Sequence, residues 1–157
     1  MNRSFTLRPA REEELSALSA LCLRSKAHWG YDEAFMAACV PVLTLGHDDL
    51  ADGLLIVAEA GGPPAGIAQL AGPPGEMEID RLFVDPPYIG TGLGRVLFEW
   101  CVATALARGE SRLEIEADPD AAPFYEKMGA VKIGETPSGA IPGRMLPLLE
   151  LRISVAG

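Results

Sequence analysis

Hydrophobic residues recur at helical spacing in four parts of the chain. Residues 11–27 carry apolar side chains at positions 15, 18, 21 and 22, and their first turn is acidic, as the helix dipole favours. Asp32 is suited to begin a second helix, whereas Gly109 and Gly129 are suited to follow the ends of two more. The pattern therefore predicts further helices at residues 32–40, 95–107 and 122–130.

A period of two residues marks the strands. It is clearest in residues 111–117, where Leu113, Ile115 and Ala117 alternate with charged side chains. Two apolar runs around the turn GGPP are typical of a β-hairpin, and Pro9 is expected to end the first strand of the chain. Strands are predicted at residues 5–8, 54–60, 65–71, 76–84, 111–117, 131–135 and 145–155. The order indicates a mixed α+β fold, which we expect to be a single domain over residues 1–157.

Composition narrows the classes of partner. The chain has 157 residues and a net charge of −9, so general attraction to nucleic acid is not expected. Three cysteines and two histidines show no metal-binding spacing, and we expect no metal. Neither an N-terminal apolar segment nor an apolar run of membrane-spanning length is present in this sequence, which favours a reduced, cytoplasmic protein without a membrane partner.

A glycine-rich segment, VDPPYIGTGLGR, lies between a predicted strand and a predicted helix. A dinucleotide-binding fingerprint would need its third glycine at Arg95, and a nucleotide-binding P-loop would need Lys and Ser or Thr after Gly94. Both patterns fail. The glycines leave the backbone amides of residues 89–95 accessible at a helix N-terminus, which suits a pyrophosphate, with Arg95 as an additional donor. A purely structural glycine turn is the alternative.

The order of this loop and its neighbours resembles the GNAT (Gcn5-related N-acetyltransferase) superfamily, most strongly over residues 54–134. Gly92 and Gly94 match the family's Gln/Arg-x-x-Gly-x-Gly/Ala loop, and Tyr125 in FYEKMGA matches its later tyrosine signature. Two positions depart from the family pattern: Ile89 replaces the Gln or Arg, and Asp118 stands where Asn is frequent.

The resemblance implies a curved, mostly antiparallel sheet, flanked by helices, in which the central parallel strands 76–84 and 111–117 splay apart. Acetyl-CoA would enter the opening as co-substrate, with its pantetheine arm along the main chain near residues 83–85. The residues expected to contact it are Phe83, Val84, Ile89, Gly90, Thr91, Gly92, Leu93, Gly94, Arg95, Asp118 and Phe124.

The same resemblance implies an acetyl transfer by direct attack of an amine, with one general base and one general acid. Glu78 occupies the position of the base, and Glu76 and Asp80 would share its strand face, opposite Met77, Ile79 and Arg81. Crowding of carboxylates raises the pKa of at least one of them, as a base requires. A solvated acidic strand face is the alternative.

Tyr125 matches the family residue that protonates the departing thiolate, and packing of its short helix is the alternative role. The acceptor would be held by residues outside the cofactor half: His28, Trp29, Tyr31 and Arg144. Trp29 and Tyr31 could stack on a ligand, and Arg144 could clamp a carboxylate. Equally, the aromatic residues could cap a cluster between helices, and Arg144 could be an ordinary surface arginine.

Two functions follow from these patterns. The first is an N-acetyltransferase acting on a small-molecule or protein amine, with aminoglycosides, polyamines, amino acids and peptide N-termini all open as acceptors, and longer acyl chains open as donors. The second is a non-catalytic acyl-CoA-binding sensor or scaffold. The family also suggests a homodimer formed through the last strands.

Overall fold

The computed structural model describes residues 4–153, which form a seven-stranded sheet with helices on both faces. The helices are α1 (Leu15–Ala27), α2 (Glu33–Leu43), α3 (Leu93–Ala107) and α4 (Ala122–Lys127). The strands are β1 (Thr6–Pro9), β2 (Leu55–Glu59), β3 (Pro64–Ala71), β4 (Glu78–Val84), β5 (Arg112–Glu116), β6 (Val131–Pro137) and β7 (Met145–Arg152). Within this part of the chain, no helix is long and apolar enough to span a membrane.

The sheet has the strand order β1-β2-β3-β4-β5-β7-β6. Neighbouring strands pair antiparallel, except β4 and β5, which are parallel and meet at Glu78 and Glu114. A single register pair between two central parallel strands means that they separate beyond it. The mixed fold with splayed central strands is therefore confirmed.

Two clusters of buried side chains hold the helices to opposite faces of the sheet. On one face, α3 packs through Leu93, Leu97 and Cys101 against residues of β3, β4 and β5. On the other, α1 and α2 pack through Leu18 and Cys39 against β2 and β3. Burying such apolar side chains supplies most of the favourable free energy of folding.

Two element boundaries, those of β1 and α2, extend past the sequence prediction because each element tolerates a proline near its end. The first strand includes Pro9, since β1 is an edge strand that needs few donors. Helix α2 continues through Pro41 to Leu43, because a proline in the last turn removes only one helical hydrogen bond. Strand β7 ends at Arg152, and positions 154 and 155 of the predicted strand lie outside the described residues.

An irregularity in β4 corrects the predicted facing of one residue. Gln69 pairs with Arg81 but Leu70 pairs with Ile79, so Asp80 is an extra, bulged residue in β4. Beyond a bulge, the side chains of a strand point to the face opposite to the one that simple alternation predicts. Arg81 therefore lies on the same face as Glu78, where it donates to the carbonyl of Val42 in α2 (2.8 Å), and the prediction that it faces away from Glu78 is wrong.

Candidate active site

The site begins where β4 and β5 part. The amide of Glu114 donates to the carbonyl of Met77 (3.1 Å), which ties the two strands at their beginnings. Further along, the amide of Asp85 donates to the carbonyl of Ala65 in β3 (2.8 Å). Antiparallel pairing alternates, so Phe83 also directs its peptide groups toward β3, whereas Leu82 and Val84 direct theirs toward the gap.

A central cleft of about 160 Å³ occupies this gap. Its walls come from α1, from β4, from the end of β5 and from α4. They include Lys26, Trp29, Asp80, Arg81, Leu82, Phe83, Glu116, Ala117, Asp118, Tyr125 and Leu146. Three residues predicted to contact ligands, Phe83, Asp118 and Tyr125, are thereby brought together with Trp29.

Tyr125 projects from α4 into the core and lines the central cleft with an exposed fraction of 6%. Its ring packs edge to face against Phe124, with 5.1 Å between the centroids, and it also meets Phe98 of α3. Burial, and secondarily the Cys101 thiol, raises the pKa of the phenol well above its ordinary range. The hydroxyl consequently stays protonated at any pH at which the protein functions.

A second, larger cavity of about 690 Å³ lies over the N-terminus of α3, and we call it the glycine-loop cavity. Seven of the residues predicted to bind cofactor line it: Val84, Ile89, Gly90, Gly92, Gly94, Arg95 and Phe124. Gly90 and Gly92 have φ angles of +83° and +86°, which other residues rarely adopt. Lys127 at the end of α4 also lines this cavity, so two cations border it.

The backbone donors of this loop are partly used inside the protein. The amides of Ile89 and Thr91 donate to the carbonyls of Pro86 and Tyr88, so these two are not accessible as predicted. Helical bonding of α3 begins only with Val96, whose amide donates to Gly92 (3.2 Å). The amides of the first turn, residues 93–95, have no carbonyl one turn earlier within the helix, and donors of this kind at a helix N-terminus are suited to bind an anion.

Three of the predicted cofactor residues have roles that differ from a simple contact. The Thr91 hydroxyl and amide both donate to the Tyr88 carbonyl. The Leu93 side chain is fully buried in the core, so only its backbone can serve a ligand. The Arg95 guanidinium bonds Glu99 one turn away (3.1 Å) while bordering the cavity.

A third cavity, of about 180 Å³, lies between the sheet and α2; we call it the α2-side cavity. Its apolar wall is formed by Cys39, Val42, Leu43, Ala140 and Leu146, and its charged wall by Glu78, Asp80, Glu116, Lys26 and Arg144. Five residues line both this cavity and the central cleft: Lys26, Ile79, Asp80, Glu116 and Leu146. The two spaces therefore meet across a common wall.

Glu78 lines the α2-side cavity beside this wall, and the pKa of its carboxyl group is shifted. Burial raises its pKa above the ordinary value, and the neighbouring charges of Asp80, Glu116 and Glu114 raise it further. The predicted crowding of carboxylates around Glu78 is present, but the carboxylates involved are not all those that were predicted. Glu76 precedes β4 and is exposed, whereas the carboxylates on β5 supply the additional negative charge.

Asp118 connects three segments around the central cleft. Its carboxylate accepts hydrogen bonds from Lys26 of α1 and from the hydroxyl of Tyr31 (2.6 Å), and Arg144 lies 3.6 Å away. Burial alone would raise the pKa of Asp118, but the bonds from Lys26, Tyr31 and the Asp120 amide lower it below its ordinary value. Contact of this carboxylate with pantetheine stays a prediction, because the group is already engaged.

The four residues predicted to hold an acceptor fall into two pairs: Tyr31 with Arg144, and His28 with Trp29. Arg144 donates to the Tyr31 hydroxyl (3.1 Å) and lies over the rings of Tyr31 and Phe35, which are stacked with centroids 3.9 Å apart. This geometry favours Arg144 as a partner of Asp118. Trp29 is half exposed at the mouth of the central cleft, and His28 lies exposed beside it with the two rings edge to face.

Sequence reasoning missed four residues of the site: Lys26, Leu82, Glu116 and Lys127. Lys26 lies two residues before the predicted acceptor residue His28, and Lys127 lies inside the FYEKMGA motif, so both were close to selected residues. Glu116 alternates with Ile115 and Ala117, which indicates its face but not its distance from Glu78. That distance depends on how β4 and β5 align, and no local pattern carries this information.

Comparison with protein-family models identifies the family of this chain. A family model described as the acetyltransferase (GNAT) domain matches residues 44–139, which is more than half of the chain. The chain therefore belongs to the GNAT acetyltransferase family, as its loop and tyrosine motifs predicted. No curated protein matches the sequence significantly.

Solved structures agree with this assignment. A GCN5-related N-acetyltransferase from Rhodopseudomonas palustris is 26% identical, with a TM-score of 0.79 and 98% of each chain covered. The PaiA N-acetyltransferase from Thermoplasma acidophilum, solved in complex with coenzyme A, is 18% identical, with a TM-score of 0.77 and coverage of 95% of this chain and 99% of that one. The ribosomal-protein-S18-alanine N-acetyltransferase from Escherichia coli is 24% identical, with a TM-score of 0.70 and coverage of 98% and 97%. The last two likenesses establish the fold.

Proposed function

We propose that this protein is an acetyl-CoA-dependent N-acetyltransferase that transfers an acetyl group to a primary amine by direct attack in a ternary complex. The observation that carries the proposal is the common wall between the central cleft and the α2-side cavity. Tyr125 lines the first space and Glu78 lines the second. A donor and an acceptor held in these two spaces would meet at this wall, with an acid on one side and a base on the other.

The residues present suit acetyl-CoA as co-substrate. The first-turn amides of α3, together with Arg95 and Lys127 at the border, offer donors and positive charge for a pyrophosphate. Main-chain groups of Leu82 and Val84 face the gap, and they would bond the amides of an extended arm as a further strand would. PaiA of Thermoplasma acidophilum, a protein of the same fold, was solved with coenzyme A.

The chemistry assigned to the chain's own groups is two proton transfers. Glu78, with its raised pKa, takes a proton from the acceptor ammonium, directly or through water. The neutral amine then attacks the thioester carbonyl, the carbon–sulfur bond breaks as the carbon–nitrogen bond forms, and the nitrogen gives its second proton to water. Tyr125, which is protonated because burial raises its pKa, gives its proton to the departing thiolate and regains one from water.

Thiol release from acetyl-CoA, measured with a thiol-reactive dye across a panel of primary amines, tests the proposal. We expect amine-dependent thiol release and a product heavier by one acetyl group in mass spectrometry. Variants Glu78→Gln and Tyr125→Phe should each reduce that release by on the order of 10²-fold while leaving CoA binding nearly unchanged.

The panel also separates catalysis from the alternative role of an acyl-CoA sensor. A sensor would bind acetyl-CoA, detected as a rise in melting temperature, but would release no thiol with any amine. That combination of results would contradict the proposed function.

A further inference from the structure

The α2-side cavity carries an imbalance of charge that the proposed reaction alone does not require. One carboxylate is sufficient for a general base, yet three border this cavity: Glu78, Asp80 and Glu116. Asp80 has a cationic neighbour, since it lies 3.2 Å from Arg81. Glu78 and Glu116 form no side-chain hydrogen bond or ion pair among residues 4–153; Glu78 is half-buried, and Glu116 borders the cavity while also being exposed to solvent.

The position of Glu116 is set by the register of the sheet. Glu114 is paired with Glu78, and Glu116 follows two residues later on the same face, about 7 Å further along β5. There it borders both the α2-side cavity and the central cleft. A carboxylate at this junction is placed to meet the far end of a short ligand whose first ammonium is bound at Glu78.

The two cations that border the cavity are already engaged. Lys26 is paired with Asp118, and Arg144 lies 3.6 Å from the same carboxylate and donates to Tyr31. Neither is free to bind a ligand carboxylate unless this network opens. The cavity therefore presents negative charge to a ligand, and its small volume of about 180 Å³ admits a small molecule or one end of a longer one.

We infer that Glu116 is a specificity-determining residue that selects acceptors with a second positive charge, and that the acceptor is a small aliphatic diamine without a carboxylate. One amine reacts at Glu78 while the other is held at Glu116, and the apolar wall formed by Cys39, Val42 and Leu43 contacts the carbon chain between them. This inference rests on the proposed N-acetyltransferase function.

Three acceptors of similar length test it: putrescine, pentylamine and γ-aminobutyrate, whose far ends are cationic, apolar and anionic. We expect kcat/KM for putrescine to exceed that for pentylamine by about tenfold, the usual worth of one charge-assisted hydrogen bond, with γ-aminobutyrate poorest. Glu116→Gln should remove the advantage of putrescine by raising its KM relative to that of pentylamine; because Glu116 also raises the pKa of Glu78, the two acceptors are compared within each variant. Glu116→Asp should restore part of it.

Glu114→Gln is the matched control, because Glu114 is on the same strand and face but does not border the cavity; it should keep the preference for putrescine. Equal use of the three acceptors by the parent, or an unchanged preference in Glu116→Gln, would overturn the inference while leaving the acetyltransferase function intact. Absence of turnover with every amine would contradict the function itself. Calorimetric binding of putrescine to the CoA-saturated protein then decides the inference: loss of binding in Glu116→Gln supports it, and equal binding refutes it.

Discussion

Glu78 of β4 is paired in register with Glu114 of β5 at the point where the two parallel strands begin to separate. Two carboxylates are thereby held on neighbouring strands, with Glu116 on the same face two residues further on. Burial of Glu78 disfavours ionisation of its carboxyl group, and the like charges of the neighbouring carboxylates add to the effect. The division of the sheet that opens the cleft thus also sets the protonation of the proposed base.

The raised pKa of Glu78 predicts the pH profile of turnover. A base acts only when ionised, so activity should rise with pH through a value above the ordinary glutamate pKa of about 4.3. Glu78→Gln should lower turnover by on the order of 10²-fold at neutral pH and recover partly at high pH, where the amine is already neutral. Steady-state rates over the pH range measure both effects, and an equal loss at every pH would assign Glu78 to binding or structure.

The raised pKa of Glu78 also predicts how stability depends on pH: stability should fall over the pH range in which activity rises. Because the folded pKa of Glu78 is raised, the folded protein binds the proton more tightly than the unfolded chain, and the free energy of unfolding falls as pH rises through that window. Glu78→Gln should therefore melt above the parent at neutral pH, with no difference below about pH 4. Thermal melts at the two pH values check this, and a variant that melts lower at neutral pH would contradict it.

Motifs with local chemistry could be read from the sequence. The amphipathic spacing of α1, the glycine loop before α3 and the order of strand, loop and helix depend on neighbours in the chain, and the structure confirms them. The bulge at Asp80 could not be read in this way. It depends on how β4 aligns with β3, and it moves Arg81 to the other face of the sheet.

Charge networks between distant segments were equally hidden. Asp118 was selected as a cofactor residue, and Tyr31 and Arg144 as acceptor residues, each from its own segment. The structure places Tyr31 and Arg144 against Asp118 and adds Lys26, over sequence separations of up to 113 residues. Local patterns identify reactive side chains, but only tertiary packing decides which of them neutralise one another.

Gly94 offers a test of the pyrophosphate assignment. A side chain there would begin 3.4 Å from the Phe124 ring and extend into the glycine-loop cavity. Gly94→Glu should abolish the rise in melting temperature that CoA produces, because it fills the cavity and adds a like charge. Gly134→Glu, on the edge strand β6 with open space around it, adds the same charge away from the cavity and should keep the CoA response. Equal responses of the two variants would refute the assignment.

Tyr125→Phe separates acid catalysis from packing. The ring contacts with Phe98 and Phe124 are retained, so the melting temperature should stay close to that of the parent. Loss of the hydroxyl should lower turnover by on the order of 10²-fold or more without weakening acetyl-CoA binding. Stopped assays with the best acceptor measure the first effect and calorimetry the second. Full activity would show that another group protonates the thiolate, and a large loss of stability would assign Tyr125 to the core.

Asp118→Asn tests whether the network around Asp118 controls the charge presented to the acceptor. The substitution keeps the shape of the side chain but removes the charge that binds Lys26 and faces Arg144. It should cost about 1–3 kcal/mol at neutral pH, the usual penalty for removing a charge-assisted hydrogen bond from a mostly buried site. Because the folded pKa of Asp118 is lowered, its contribution is present above about pH 4 and is lost as pH falls through the folded value, so the difference between parent and variant should shrink in acid.

The same variant should also change acceptor preference, since Lys26 and Arg144 would border the α2-side cavity with their charges uncompensated. Relative to pentylamine, γ-aminobutyrate should improve by about tenfold in kcat/KM, because a free guanidinium can bind its carboxylate. Asp120→Asn is the matched control. The Asp120 carboxylate is exposed, and its hydrogen bond from the Tyr31 hydroxyl is long (3.4 Å), so the substitution should leave both stability and acceptor preference nearly unchanged. If Asp118→Asn lowers stability but leaves the ratio of the two acceptors as in the parent, Asp118 holds the segments together without setting the charge of the cavity.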